Sequence, residues 1–189
     1  MNSRYEMRFT GSGGQGVILA SVILAEAAVL CGMQAVQSQA YGPEARGGTA
    51  RGETILSRGQ IWFPKVIRPN FLLALTQSSL NKFSAELAPG ALVLADDTLT
   101  IPEGLDPAQV LSLPILRTAR ETVGRAMTAN IVAVGAINTA LGLFPEEVLR
   151  EAVRRHIPAG TEAVNNRALA AGEALVSRQE AALFRQDIA

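Results

Sequence analysis

Residues 11–16 read Gly11, Ser12, Gly13, Gly14, Gln15 and Gly16, between a short apolar run and a long one. Gly11, Gly13 and Gly16 keep the spacing of a dinucleotide-binding loop. Backbone without side chains can turn tightly between a strand and a helix and bring its amides close to an anion at the helix start. Two companions of a nucleotide site are missing. Residues 34–41 offer no acid to receive ribose hydroxyls, and Glu26 falls too early in the chain. No lysine follows Gly16 as in a P-loop, which disfavours ATP. Two readings stay open: close packing of strand on helix, or contact with an anion or cofactor. Gln15 suits either, as an amide donor to a ligand or as a brace for the loop.

A second pointed segment, residues 41–48, sets Glu44 and Arg46 among glycine, proline and alanine. Arginine makes a two-point contact with phosphate or carboxylate, and glycine-rich loops at sheet ends are frequent recognition sites. The bland alternative is an exposed turn with a local Glu–Arg attraction that adds little to folding.

No catalytic constellation accompanies these loops. His156 is the sole histidine, beside Arg154 and Arg155 at the end of an expected helix, where capping or exposure explains it. Ser12 lacks the pattern of a nucleophile elbow and any supporting histidine. Asp96 and Asp97 close an expected strand, and such a pair caps the next turn or faces solvent more often than it binds magnesium. Arg117, Arg120 and Arg125 have the charge for a phosphate pocket, but a solvated helix face is the leading reading. Cys31 follows Val29 and Leu30 and is expected to be buried. As the only cysteine it excludes an internal disulfide, and with it a zinc site or iron–sulfur cluster built from this chain's own thiolates.

Composition bounds the fold and the kinds of partner. The 189 residues suit one domain, and 48% hydrophobic against 18% charged implies a sheet buried on both faces, a surface covered by a partner, or both. Seventeen basic and seventeen acidic residues cancel, so nucleic acid and anionic membranes lose their usual electrostatic attraction. The first residues do not read as a signal peptide, and a cytoplasmic placement is expected. The uncharged stretch 126–144 has Thr128, Asn130, Asn138 and Thr139 within it, which favours a buried helix over a membrane span.

The elements that must carry these residues follow from periodicity and turn chemistry. Strands are expected over 5–9, 34–41, 49–56, 71–75, 91–95 and 110–115, with another short strand over 61–63 after a hairpin turn at 57–60. Along 49–56, Ala50, Glu53 and Ile55 fit no face of uniform character. Helices are expected over 17–30, stopped by Gly32, and from Ser78 or Ser79 as cap toward Leu87. Further helices are expected over 130–141, stopped by Gly142, from Pro145, and over 162–176. In the helix from Pro145, the residues Val148, Leu149, Ala152 and Val153 should face inward. Strand–helix alternation followed by helices gives a single three-layer Rossmann-like α/β domain with a mostly parallel sheet and a helical C-terminal portion.

The two glycine-containing segments together resemble the gamma subunit of the 2-oxoacid:ferredoxin oxidoreductases. The resemblance is carried by residues 11–20 and 37–48, with 71–75, 89–94 and 130–136 as further landmarks, and it covers about residues 4–175. It implies a gamma domain over residues 1–176 and a C-terminal extension over 177–189. Segment 41–48 looks most like the 2-oxoglutarate-acting type, with pyruvate and branched-chain relatives close to it.

The resemblance further implies an accessory subunit, inactive alone, of an assembly that decarboxylates a 2-oxoacid and makes acyl-CoA. Alpha and beta catalytic subunits, with a ferredoxin-like delta subunit as a further candidate, would carry thiamine diphosphate, magnesium and iron–sulfur clusters. Ferredoxin would accept the electrons, and coenzyme A would be a substrate at a shared site. Gly11, Ser12, Gly13, Gly14, Gln15 and Gly16 would approach coenzyme A, while Glu44 and Arg46 would organise the neighbouring interface. An independent flavin- or nucleotide-binding protein and a purely structural adaptor are the alternatives.

Overall fold

The computed structural model describes residues 4–41 and 49–186. Glu44 and Arg46, and the loop expected around them, lie outside the described residues. The sheet holds β1 (Arg4–Ser12), β2 (Gln34–Tyr41), β3 (Thr49–Ser57), β4 (Phe71–Ala74), β5 (Leu92–Asp96) and β6 (Val110–Leu113) in the order β2-β3-β1-β4-β5-β6. β1, β4, β5 and β6 are parallel, while β3 runs antiparallel to both β1 and β2. β2 therefore shares the direction of β1, and β3 alone in the sheet is reversed.

Helices cover the two faces unequally. α1 (Val17–Leu30) and α4 (Ala129–Leu141) pack on the face lined by Tyr5, Met7, Phe9 and Leu73, and α2 (Gln77–Ser84) packs on the other, against Leu72 and Val93. The fully apolar run of β4 and the four apolar residues of β5 are what a strand covered on both sides requires. β6 leads into a short α3 (Ile115–Arg117) and a π-turn, Thr118–Thr122. α5 (Glu146–His156), α6 (Glu162–Ala174) and α7 (Arg178–Gln186) complete the helical layer.

α4 is the hub of that layer. All its residues except Thr139 are buried, which accounts for the apolar stretch noted in the sequence. No helix among the described residues is long and apolar enough to cross a membrane. α6 crosses α4 almost backbone to backbone: a Cβ on Gly172 would lie 1.9 Å from the Val132 carbonyl oxygen, and one on Gly135 would lie 2.3 Å from that of Leu169. Ala181 and Phe184 of α7 join the same core.

Several local expectations are corrected. β1 continues through Gly11 and Ser12 instead of ending before them. Residues 61–63 form no strand, and Trp62 and Phe63 are 82% and 54% exposed. Both edges of β3 are already taken by β1 and β2, so a hairpin partner has no ladder to join. Thr76, not Ser78 or Ser79, caps α2, because extended backbone lets its side chain accept from Ser79 N–H; the helix ends at Ser84. Cys31 is exposed, since the apolar run before it ends at a helix terminus in solvent where Val29 is also exposed. Desolvation nevertheless pushes its thiol up. In α5 the buried stripe is Leu149, Ala152 and Val153, with Val148 half-buried at its rim.

Candidate functional site

The chain leaves β1 for α1 and β2 on one side, and leaves β4 for α2 and β5 on the other. The helices lie on opposite faces, so a crevice opens between the C-terminal ends of β1 and β4. In open α/β sheets this reversal point is where ligands bind. The glycine loop forms one lip and Leu75 the other. Register adds a third component: Ser12 pairs with Thr49, and Gly11 with Ala50, which also faces Tyr41. The two strands that flank residues 42–48 thus end beside the glycine loop.

The loop has a defined internal structure. Gln15 N–H donates to the Ser12 carbonyl at 3.2 Å, closing a turn over Gly13 and Gly14. The Gln15 carboxamide folds back, its Oε1 accepting from Ser12 N–H at 2.7 Å and its Nε2 reaching the Leu75 carbonyl at 3.5 Å. Gln15 thus braces the loop, one of the two roles its chemistry allows. Gly11 makes room for that carboxamide, because a Cβ there would sit 2.4 Å from Oε1. Gly14 and Gly16 take left-handed φ values of 93° and 71°, a conformation that costs other residues about 1–2 kcal/mol.

Gly16 caps α1 with no side chain accepting from the first turn and no acid within it. The first intrahelical bond is Ala20 N–H to the Gly16 carbonyl, so the amides of Val17, Ile18 and Leu19 have no intrahelical acceptor. Gly13 and Gly14 are exposed above them. Partial positive charge with open approach is an anion-receptive geometry.

Asn130, noted in the sequence only as a polar break in an apolar stretch, is part of this site. It is 4% exposed at the start of α4, and a Cβ on Gly16 would lie 2.6 Å from its Nδ2. It lines a cavity of about 270 Å³ together with Leu19 and Arg125. Periodicity could not reveal this, since the contact joins residues more than a hundred positions apart.

Of the other candidates, the two aspartates have structural partners. Asp96 is fully buried and accepts from Thr98 N–H, the Thr98 hydroxyl and Leu116 N–H, which makes it the cap of the following turns. Asp97 pairs with Arg117 at 2.9 Å. Arg120 is exposed, and Arg125 alone of the three arginines lines the cavity. His156 ends α5 with its Nε2 at 3.8 Å from Glu26. Among the described residues no three His, Cys, Asp or Glu side chains gather as metal ligands.

Sheet order, crevice and braced loop define an α/β domain of the dinucleotide-fold class with an anion-receptive helix start and, among the described residues, no catalytic constellation around it. Residues 6–175 match the family model of pyruvate ferredoxin/flavodoxin oxidoreductases, and the chain belongs to that family, as a subunit of its gamma kind. It is 38% identical to the 2-oxoglutarate synthase subunit KorC of Methanothermobacter marburgensis, an alignment spanning 92% of this chain and 97% of that one. Identity to the ketoisovalerate oxidoreductase subunit VorA of Methanothermobacter thermautotrophicus is 37%, over 78% of this chain and 31% of VorA. The crystal structure of a keto/oxoacid ferredoxin oxidoreductase gamma subunit from Geobacter sulfurreducens superposes with a TM-score of 0.81 at 42% identity, covering 91% of this chain and 95% of that one.

Proposed function

We propose that this chain is the accessory gamma subunit of a 2-oxoglutarate:ferredoxin oxidoreductase that makes succinyl-CoA and CO2, and that it forms the coenzyme A side of the active site. The observation that carries the reading is the open start of α1 between exposed glycines, at the crevice of the sheet. The near full-length likeness to KorC supports 2-oxoglutarate over the branched-chain and pyruvate substrates of more distant relatives.

In this reading thiamine diphosphate, magnesium and iron–sulfur clusters sit on alpha and beta subunits and a ferredoxin-like delta subunit, and supply the oxidative decarboxylation and the electron path to ferredoxin. The present chain binds and orients. Its Val17, Ile18 and Leu19 amides meet a phosphate of coenzyme A, and the bare backbone at Gly13 and Gly14 lets the thiol-bearing arm pass. Gln15 keeps the loop in shape rather than touching the reacting atoms. Glu44 and Arg46 belong to the neighbouring subunit interface.

Copurification from the native source with identification of the accompanying chains tests the assembly, and activity of the purified complex with each 2-oxoacid tests the substrate. In that complex, Gly13→Trp should raise the KM for coenzyme A at least tenfold while thiamine diphosphate stays bound. Equal loss of both through subunit dissociation would mean the loop only packs. Saturable flavin or nucleotide binding by a chain that purifies alone would replace the proposal with an independent binding protein.

A further inference from the structure

The segment that joins β3 to β4 has no part in the site described above. β3 and β4 flank β1, and Ser57 pairs with Arg4 while Phe71 pairs with Met7, so residues 58–70 pass the N-terminal end of β1. The glycine loop lies at the other end of that nine-residue strand, roughly 25 Å away at the usual rise per residue.

The segment is anchored at both ends. Gly59 N–H donates to the Ser57 hydroxyl oxygen at 3.1 Å. Val66 and Pro69 are buried, the Pro69 carbonyl accepts from Ala88 N–H at 3.0 Å, and the Arg68 guanidinium donates to the Leu87 carbonyl at 3.4 Å. The Asn70 carboxamide accepts from Glu6 N–H at 2.9 Å and donates to the Arg4 carbonyl at 3.2 Å. Between these anchors Trp62, Phe63 and Ile67 are 82%, 54% and 61% exposed. Three of the five large apolar side chains left exposed among the described residues thus fall within six positions, a concentration that scattered surface exposure does not produce.

Charge says what would cover them. Every charged residue from 58 to 70 is basic: Arg58, Lys65 and Arg68. The acids beside the anchors are already taken, Glu6 by Arg4 at 2.9 Å and Glu86 by Arg8. In a chain of zero net charge, this segment is a local cationic field around an aromatic centre. Tryptophan and arginine dominate binding energy at protein interfaces, and a segment already fixed in place loses little freedom on binding. A bilayer fits less well, since stable attachment takes an extended apolar face or a broader basic cluster.

We infer that residues 58–68 are a docking surface for an acidic face of another chain of the assembly. That face offers an apolar socket to the Trp62 indole and carboxylates to Lys65 and Arg68. The inference rests on the multi-subunit reading above and extends it, because it assigns subunit contact to the end of the sheet remote from the proposed coenzyme A site.

Trp62 is the sole tryptophan of the chain, which supplies a local probe. The chain carrying 5-fluorotryptophan is combined with its unlabelled partner chains. Its fluorine resonance should shift between H2O and D2O when the chain is separate and lose most of that shift on assembly. Trp62→Ala, and Lys65→Glu with Arg68→Glu, should each raise the concentration at which the assembly half-dissociates by about tenfold or more. The charge-reversal effect should shrink with added salt. All three residues are exposed, so the melting temperature of the separate chain should hold, as should the KM for coenzyme A of the fully assembled enzyme. If the assembly forms and the resonance still senses solvent, the inference fails and the multi-subunit reading survives. Loss of the solvent shift by the separate chain as its concentration rises, or on phosphatidylglycerol vesicles, would give the surface to a second copy or to a membrane instead. If no partner chains accompany this one, the multi-subunit reading fails and the inference with it.

Discussion

Arg8 on β1 faces Glu53 on the adjacent β3 in direct register, and its Nε donates to the Glu53 carboxylate at 2.8 Å with only 3% and 11% of the two side chains exposed. The same guanidinium also pairs with Glu86 and lies 5.1 Å from the Phe83 ring centroid. On the α2 face of the sheet, an ion pair thus sits where a buried strand pair would ordinarily be apolar. Removing Glu53 leaves the buried Arg8 with only the half-exposed Glu86 as counterion, a loss approaching the roughly 3–5 kcal/mol of a broken buried pair. Glu53→Ala should fall in that range by urea denaturation. Glu86→Ala, whose side chain is 43% exposed, should cost about 1 kcal/mol. Arg8→Met with Glu53→Leu should recover most of the loss, since apolar replacement of a whole buried pair is often neutral. Equal costs for the two glutamates would refute this account of the network.

The α4–α6 crossing predicts an inverted response to alanine. In an ordinary helix interior, replacing glycine by alanine gains about 1 kcal/mol. At Gly172 and Gly135 the new methyl meets a carbonyl oxygen of the opposing backbone, which cannot rotate away as a side chain would. The helices must separate, and overpacking of this kind costs about 1–3 kcal/mol. Each substitution should lower the melting temperature; a rise for either would mean the helices are not in contact.

Gly14 and Gly16 separate strain from contact within one loop. Both have positive φ, but a Cβ on Gly14 meets open space while one on Gly16 meets Asn130. Gly14→Ala should cost the conformational strain alone, about 1–2 kcal/mol. Gly16→Ala should cost more, and the excess should shrink in a Gly16→Ala, Asn130→Ala double variant, with a coupling energy of at least about 0.5 kcal/mol. Additive behaviour in that cycle would disprove the contact.

Glu173 on α6 gives a pH dependence with a definite sign. Desolvation pushes its carboxyl up, Glu146 adds to the shift, and Arg150 opposes it. A raised pKa in the folded chain means the protonated form is favoured there. That stabilisation is complete below the unfolded glutamate value of about 4.3 and is lost as pH rises through the folded value. Glu173→Gln cannot titrate, so its melting temperature relative to the parent should increase between pH 4 and pH 7. A relative decrease over that interval would show that the Arg150 pair, at 3.8 Å, outweighs burial.

Much of the fold was legible because local pattern and tertiary position agree. The bounds of α1 and β2 follow from periodicity and flanking turns, and β4 and β5 follow from short unbroken apolar runs. Glu53 resisted assignment because its partner Arg8 is distant in sequence, and a buried charge looks like a misplaced polar residue until its counterion is known. Trp62 and Phe63 have strand-forming chemistry, yet the neighbours of β3 were decided by other parts of the chain. The glycine loop was readable as a close-approach site by spacing. Its cavity was not, because Asn130 acts through a juxtaposition of α1 with α4.

α1 is held at three heights. Gly16 abuts Asn130 at its start, Gly52 and the Thr54 hydroxyl press on Ser21 in its second turn, and Arg155 clasps Glu26 in its last turns at 2.8 Å. A rod fastened along its length cannot slide or tip to greet an incoming molecule. Its amide end is thereby held in one place, and an anion bound there, as proposed above, would be met without a shift of the fold.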